Sequence, residues 1–149
     1  MKRKIMFGIS VLLATVCAMA EGKMKLSDLP PAVQATVKEQ TKNATIVGID
    51  KETEKGKTMY EVESMVNGKS RDLMLDAAGK LVSVEEETTL ESIPAPARQA
   101  ILKKTGANKI KKVEILTEGT SVSYEASYTD KNGKTAEVGV NADGTAPKH

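Results

Sequence analysis

Few residues in this chain could do chemistry unaided. Cys17 is the single cysteine, and His149, at the last position, the single histidine. A Ser-His-Asp or Cys-His device needs an imidazole held beside its nucleophile by a third group, a role a terminal histidine is poorly placed to fill. A His/Cys zinc site lacks its ligands, and no phosphate loop of the GxxxxGK[ST] kind occurs. Carboxylates remain. Asp130-Lys131-Asn132-Gly133 and Asn141-Ala142-Asp143-Gly144 begin like calcium loops. A calcium loop also needs oxygen ligands at set spacings and a closing glutamate, so hairpin turns are the expectation. Glu85-Glu86-Glu87 with Glu91 could hold a cation, but reads better as a charged strand end that discourages edge pairing. Lys103, Lys104, Lys109, Lys111 and Lys112 form the opposite cluster and read as a solvated face. No catalytic, cofactor-binding or metal-ligating residue is assigned.

The first 20 residues have the three parts of a cleavable export signal. Lys2, Arg3 and Lys4 are the basic start, Ile5 to Val16 the apolar run, and Ala18-Met19-Ala20 the small-x-small cleavage site. The apolar run is shorter than the roughly 20 residues a membrane span needs, so no stable insertion is expected once the signal is removed. Lipoprotein processing at Cys17 is the alternative, against which Val16 stands where a small residue is usual. Cleavage after Ala20 leaves 129 residues without cysteine, in a periplasmic or secreted setting. Such a chain must hold itself together by its core alone. It carries 19 basic and 20 acidic residues, net −1, which gives no ground for a nucleic-acid partner. With Phe7 in the signal, only Tyr60, Tyr124 and Tyr128 remain as aromatics, so the core falls to Leu, Ile, Val, Met and Ala.

After a polar leader over 21–25, the chain repeats itself. Leu29-Pro30, Val37 and Thr41 return 64 residues later as Ile93-Pro94, Ile101 and Thr105. Tyr60 returns as Tyr124 at the same shift, whereas Gly79 returns as Gly144 at 65, so one residue is inserted near the hairpin turn. Each copy opens with a helix, started by Ser27-Asp28 or Ser92 and proline and closed by Asn43 or Thr105-Gly106. Strands follow from Thr45 and from Lys109. Tyr60, Val62 and Val66 alternate with Glu61 and Glu63, and Tyr124, Ala126 and Tyr128 with Glu125 and Ser127, the period of a half-buried antiparallel strand. Asn67-Gly68 and Asn132-Gly133 are expected to be two-residue hairpin turns. The third strands carry Leu73 and Leu75, and Val138 and Val140. Leu81, Val82 and Val84 mark a fourth strand in the first copy only. The prediction is an α+β fold of two tandem helix-plus-antiparallel-sheet units, 26–89 and 90–149, the second with its last strand short or missing. Both helices cover one face of the sheet. Each unit is marginal alone, so the two are expected to share a sheet or to pack together.

The export signal, the Leu-Pro-x-x-Val helix, the Tyr-Glu strand, the hairpin glycines and the Asp/Asn-x-x-Gly turns together resemble the PepSY-like, β-lactamase-inhibitor-protein-like (BLIP-like) family of exported bacterial proteins. The resemblance runs from about Leu26 to Gly144 and implies tandem helix-over-sheet repeats with no catalytic residues. Related inhibitors bind enzymes through the sheet surface and loops, and related PepSY domains occur in protease propeptides. This implies a non-catalytic module that presents a sheet surface to an envelope or extracellular protein. Met59, Glu61, Glu63, Met65 and Met74 share the outward parity of their strands and are the candidate partner-binding residues. Sheet-to-sheet packing between the units would explain the methionines equally well. Ser123, Glu125, Ser127 and Glu137 occupy the outward positions of the second copy. A structural or stress-related envelope protein is the alternative reading. A carboxylate-only hydrolase is a third, and would need two acids flanking a cleft. N-terminal sequencing of the exported protein is expected to begin at Glu21, and a lipid-modified Cys17 start would refute the cleavage site.

Overall fold

Proline sets where each helix begins. A computed structural model describes residues 24–147, so the export signal proposed for 1–20 and His149 lie outside the described residues. Helix α1 spans Pro31–Gln40 and α2 spans Ala95–Thr105, with Pro30 and Pro94 as their N-caps. A proline early in a helix gives up a donor that would have no partner there and arrives with the right φ. Ser27 and Asp28 do not cap α1. Asp28 turns back to accept the Lys25 N–H at 2.8 Å, closing a short 3-10 turn over Leu26–Asp28. Nor does Asn43 end α1 in a left-handed cap. Thr41 closes the helix instead, at φ −111°, its N–H and hydroxyl both donating to the Val37 carbonyl at 2.9 and 2.7 Å. Arg71 then donates to the last carbonyl of α1, Gln40 O, at 3.0 Å while pairing with Glu86 at 3.1 Å, which ties the helix end to the sheet.

The strands are β1 Thr45–Glu54, β2 Lys57–Val66, β3 Lys69–Asp76, β4 Leu81–Thr88, β5 Lys109–Glu118, β6 Ser121–Thr129 and β7 Thr135–Asn141. Each pairs antiparallel with the next, giving a single seven-stranded sheet in chain order. Helix α1 precedes four strands and α2 precedes three. The expected α+β architecture is present. The register of β4 against β5, from Ser83–Glu118 to Thr88–Val113, makes the sheet continuous, so the units meet edge to edge rather than face to face.

Alternation then sorts the side chains. Leu29, Val33 and Val37 of the first helical segment share a core with Ile49, Tyr60, Val62, Leu73 and Leu75. Ile93, Ala97 and Ile101 share a second core with Val113, Ala126, Val138 and Val140. Following the register across β3, β4 and β5 (Leu73–Val84–Thr117) puts both cores on the same side of the sheet. Bulges interrupt β1 between Ile46 and Gly48 and β5 between Ile110 and Lys112. The extra residue lets each strand bend around its helix while keeping Ile46 and Ile110 on the core side.

The turns match the sequence reading in one case and correct it in another. Asn67 and Gly68 have φ of 51° and 80°, the double positive value that a two-residue primed turn requires. Asn132-Gly133 is different, because β6 ends at Thr129 and β7 begins at Thr135. Asp130 Oδ1 accepts the N–H groups of Asn132 and Lys134 at 2.8 and 2.9 Å, a local bond that builds a longer loop. Asp143 likewise accepts from the Thr145 N–H at 2.9 Å, so both carboxylates of the calcium-like segments are spent on turn geometry.

Two of the turn glycines touch the helices. Gly79 and Gly144 have φ of 83° and 82°. A Cβ on Gly79 would sit 2.6 Å from Ala32 O, and one on Gly144 2.8 Å from Pro96 O, both in first helical turns. Thr36 Oγ1 also donates to Gly79 O at 2.7 Å. Gly68, by contrast, has open space around it. Gly79→Ala is therefore expected to cost roughly 2–4 kcal/mol in urea denaturation, through left-handed strain plus collision, and Gly68→Ala only about 1–2 kcal/mol. Equal losses would show that the helix contact at Gly79 carries no weight.

Candidate functional site

The face of the sheet that carries no helix holds every candidate partner-binding residue. Met59, Glu61, Glu63 and Met65 alternate with the buried Tyr60, Val62 and Ser64 along β2, and Met74 lies directly across from Glu61 on β3. The methionines are less open than the sequence suggests. Met59 is 5% and Met74 7% exposed, because each is flanked on both sides by strand neighbours in register: Glu52 and Asp76, and Glu61 and Ser83. A residue in an interior strand of a twisted sheet is covered by its cross-strand pairs even with no helix above it. Leu116 on β5 is buried on this face in the same way. Met59, Met74 and Leu116 are thus covered apolar positions rather than an exposed stripe.

Between these apolar positions stand carboxylates from all seven strands. β1 gives Asp50 and Glu52, β2 Glu61 and Glu63, β3 Asp72, β4 Glu85 and Glu87, β5 Glu114, β6 Glu125 and β7 Glu137. The register sets acid directly opposite acid at Asp50–Glu61, Glu63–Asp72, Asp72–Glu85, Glu87–Glu114 and Glu114–Glu125. Like charges so placed weaken a sheet. Two local bonds offset part of that cost: Ser70 N–H donates to Glu87 at 3.0 Å and Ser64 N–H to Asp72 at 3.4 Å. A cation, Lys112, stands within the array, and Lys57 and Lys109 lie at its borders. Lys112 Nζ lies 2.6 Å from Glu114 Oε1, close but out of hydrogen-bonding alignment. The carboxylate oxygens of Asp72, Glu85 and Glu114 all fall within 4.8 Å of one another, so they are the residues that could hold a metal ion.

The electrostatics follow from this crowding. Burial, then Glu114, Glu125, Asp72 and Glu61, push the Glu85 carboxyl up to about 8. Burial and then Glu52, Glu63, Asp72 and Asp50 raise Glu61 to about 7. Burial and then Glu137, Glu114 and Glu118 raise Glu125 to about 7. Asp72 and Glu137 are also raised, chiefly by burial. Burial pulls the Lys112 ammonium down, but Glu114, Asp72 and Glu85 outweigh it and hold the proton more firmly. At neutral pH the face therefore carries shared protons, and each added negative charge makes the next harder to form.

Sequence reasoning found one end of this site and missed its middle. Glu85 does not end an edge strand, because β4 is paired on both sides by β3 and β5. The Glu85-Glu86-Glu87 run therefore protects no edge of the folded sheet. Its alternate members, Glu85 and Glu87, face the other acids, while Glu86 pairs with Arg71 on the helix side. Lys112 likewise leaves the solvated lysine group to join the acids. Asp72 and Glu114 were not singled out, although strand parity would have placed them beside Glu63 and Glu125.

The fold is that of BLIP-like proteins, helices on one side of an antiparallel sheet. At TM-score 0.65 and 16% identity it is similar to a candidate periplasmic protein from Bacteroides eggerthii, covering 80% of this chain and 86% of that one. A DUF2874 family protein from Bacteroides ovatus is similar at TM-score 0.62 and 15% identity, covering 80% and 85%. A BLIP-like protein from Bacteroides fragilis is similar at TM-score 0.58 and 18% identity, covering 80% and 84%. No protein-family model and no curated protein matches the sequence. Among the described residues no helix is long and apolar enough to cross a membrane.

The raised carboxyls make stability depend on pH. A carboxyl whose folded value exceeds its ordinary 4.5 contributes stability that is complete below about pH 4.5 and is lost as pH rises through its folded value, here about 7 to 8. The melting temperature is therefore expected to fall between pH 5 and pH 9. Glu85→Gln is expected to raise it by about 2–5 °C at pH 9 and leave it unchanged at pH 5. A melting temperature that rises with pH would contradict the crowding.

Proposed function

We propose that this chain is an exported, non-catalytic binding module whose helix-free sheet face docks a protein partner. The observation that carries the reading is the face itself: seven strands wide, uncovered by any described helix, with acids opposite acids in five cross-strand pairs. A fold seldom keeps an arrangement that lowers its own stability unless the arrangement serves something else. Export is supported by the signal-like first 20 residues and by the candidate periplasmic protein among the structural neighbours. The BLIP-like neighbour shares the fold, and it is the resemblance to that family that implies docking through the sheet surface. We further propose that the two units arose by duplication, since the bulges of β1 and β5 and the helix-touching glycines recur at shifts of 64 and 65. A carboxylate hydrolase needs acids flanking a cleft that encloses its substrate, whereas these acids stand on an open sheet. A groove of about 300 Å³ at the end of α1 opens on the other side beside Arg71 and Glu86.

Photocrosslinking in the native envelope tests this. A photoreactive residue at Glu63, exposed on the helix-free face, is expected to crosslink a polypeptide. One at Leu102, 45% exposed on α2, is expected to give none. The opposite pattern would move the binding surface to the helices.

A further inference from the structure

We propose that the partner's docking segment is cationic: a lysine- and arginine-rich stretch of polypeptide that lies across the strands of the helix-free face and pairs its ammonium and guanidinium groups with the carboxylates there. The proposal rests on the reading that this face docks a protein and adds the chemistry of what docks.

Charge complementarity argues it first. Acids come from all seven strands, and of the ion pairs described in the fold only Lys112–Glu114 lies on this face; the other two, Lys42–Glu39 and Arg71–Glu86, lie elsewhere. Crossing seven strands spaced about 4.8 Å apart makes a lane roughly 29 Å long, enough for about eight or nine extended residues. An anionic lipid or nucleic acid would be repelled along that whole lane.

The molecule already contains one instance of the interaction. Lys112 sets its ammonium 2.6 Å from Glu114, whose carboxylate lies within 4.8 Å of those of Asp72 and Glu85. A cation there relieves three acids at once. Toward β1 the same kind of acid group recurs around Glu61, with Asp50, Glu52 and Glu63 about it, and no described ion pair reaches it. A partner's lysine or arginine would do at Glu61 what Lys112 does at Glu114.

The test is calorimetric titration of the full exported protein with a 12-residue peptide of alternating Lys/Arg and small residues, and with its Glu-substituted counterpart, at pH 7. The cationic peptide is expected to bind, and the acidic one not at all. Glu61→Gln with Glu85→Gln is expected to weaken binding at least tenfold. Glu39→Gln with Glu91→Gln, which replaces two carboxyls at exposed sites elsewhere, is expected to change it less than twofold. Both variants leave buried apolar contacts intact, and their melting temperatures check the fold. Equal weakening by the two pairs, or no binding of the cationic peptide, would overturn the proposal. So would saturable binding of Ca²⁺ alone in place of the peptide, which would make the acids a metal site. If crosslinks from Glu63 persist while the cationic peptide fails, a partner docks on this face but is not cationic. If both fail, the face itself is the wrong surface.

Discussion

The backbone ladder between β4 and β5 is the contact on which the rest of the molecule depends. Each helix with its own strands is a unit of some sixty residues, and units of that size bury too little surface to be secure without disulfides or metal. The described chain contains no cysteine that could supply a staple. Pairing Ser83–Thr88 with Val113–Glu118 turns two marginal halves into one sheet with two cores side by side under two helices. It also settles which residues become central. The acids of β3, β4 and β5 stand in the middle of the joined sheet, flanked on both sides, where burial and mutual repulsion act on them most strongly.

The two faces divide the work. On the helix side, Leu, Ile, Val and Ala fill both cores, and buried tyrosine is limited to Tyr60 at the margin of the first. Stability is drawn almost wholly from that side. The other side gives some of it back: buried Met59, Met74 and Leu116 contribute apolar area, while five opposed acid pairs oppose it. Protons bound by Glu61, Glu85 and Glu125 soften the repulsion near neutrality. Anything that brings positive charge to the face would relieve what the fold itself leaves strained.

Much of the fold was legible because its signals are local. Helix starts at proline, strand alternation around Tyr60 and Tyr124, and the Asn67-Gly68 turn follow from short-range chemistry, and the structure has each where the pattern put it. Side-chain competition was harder to read. Asp28 bonds to Lys25 rather than to α1, and Asp130 reshapes its turn, since a carboxylate near a free N–H takes whichever donor the backbone offers. The site was half legible. Parity put Glu61, Glu63 and the methionines on the outward face, but not that Met59 and Met74 would be covered there. Which strands lie beside which across the unit boundary is a long-range fact, so the convergence of Asp72, Glu85, Glu114 and Lys112 left no mark on any single stretch.

The acidic run of β4 has a meaning in time as well as in space. The chain emerges N-terminus first, and β4 is complete at Thr88 while its partner β5 is not complete until Glu118. Until β5 pairs with it, β4 is the open border of whatever part of the sheet has formed. An open border of backbone donors and acceptors invites any passing strand to add to it. Glu85, Glu86 and Glu87 make that border costly for an intruder to approach until β5, carrying Lys112 among its residues, arrives to close it. Charges that are interior in the finished protein serve first as a temporary fence around its growing edge.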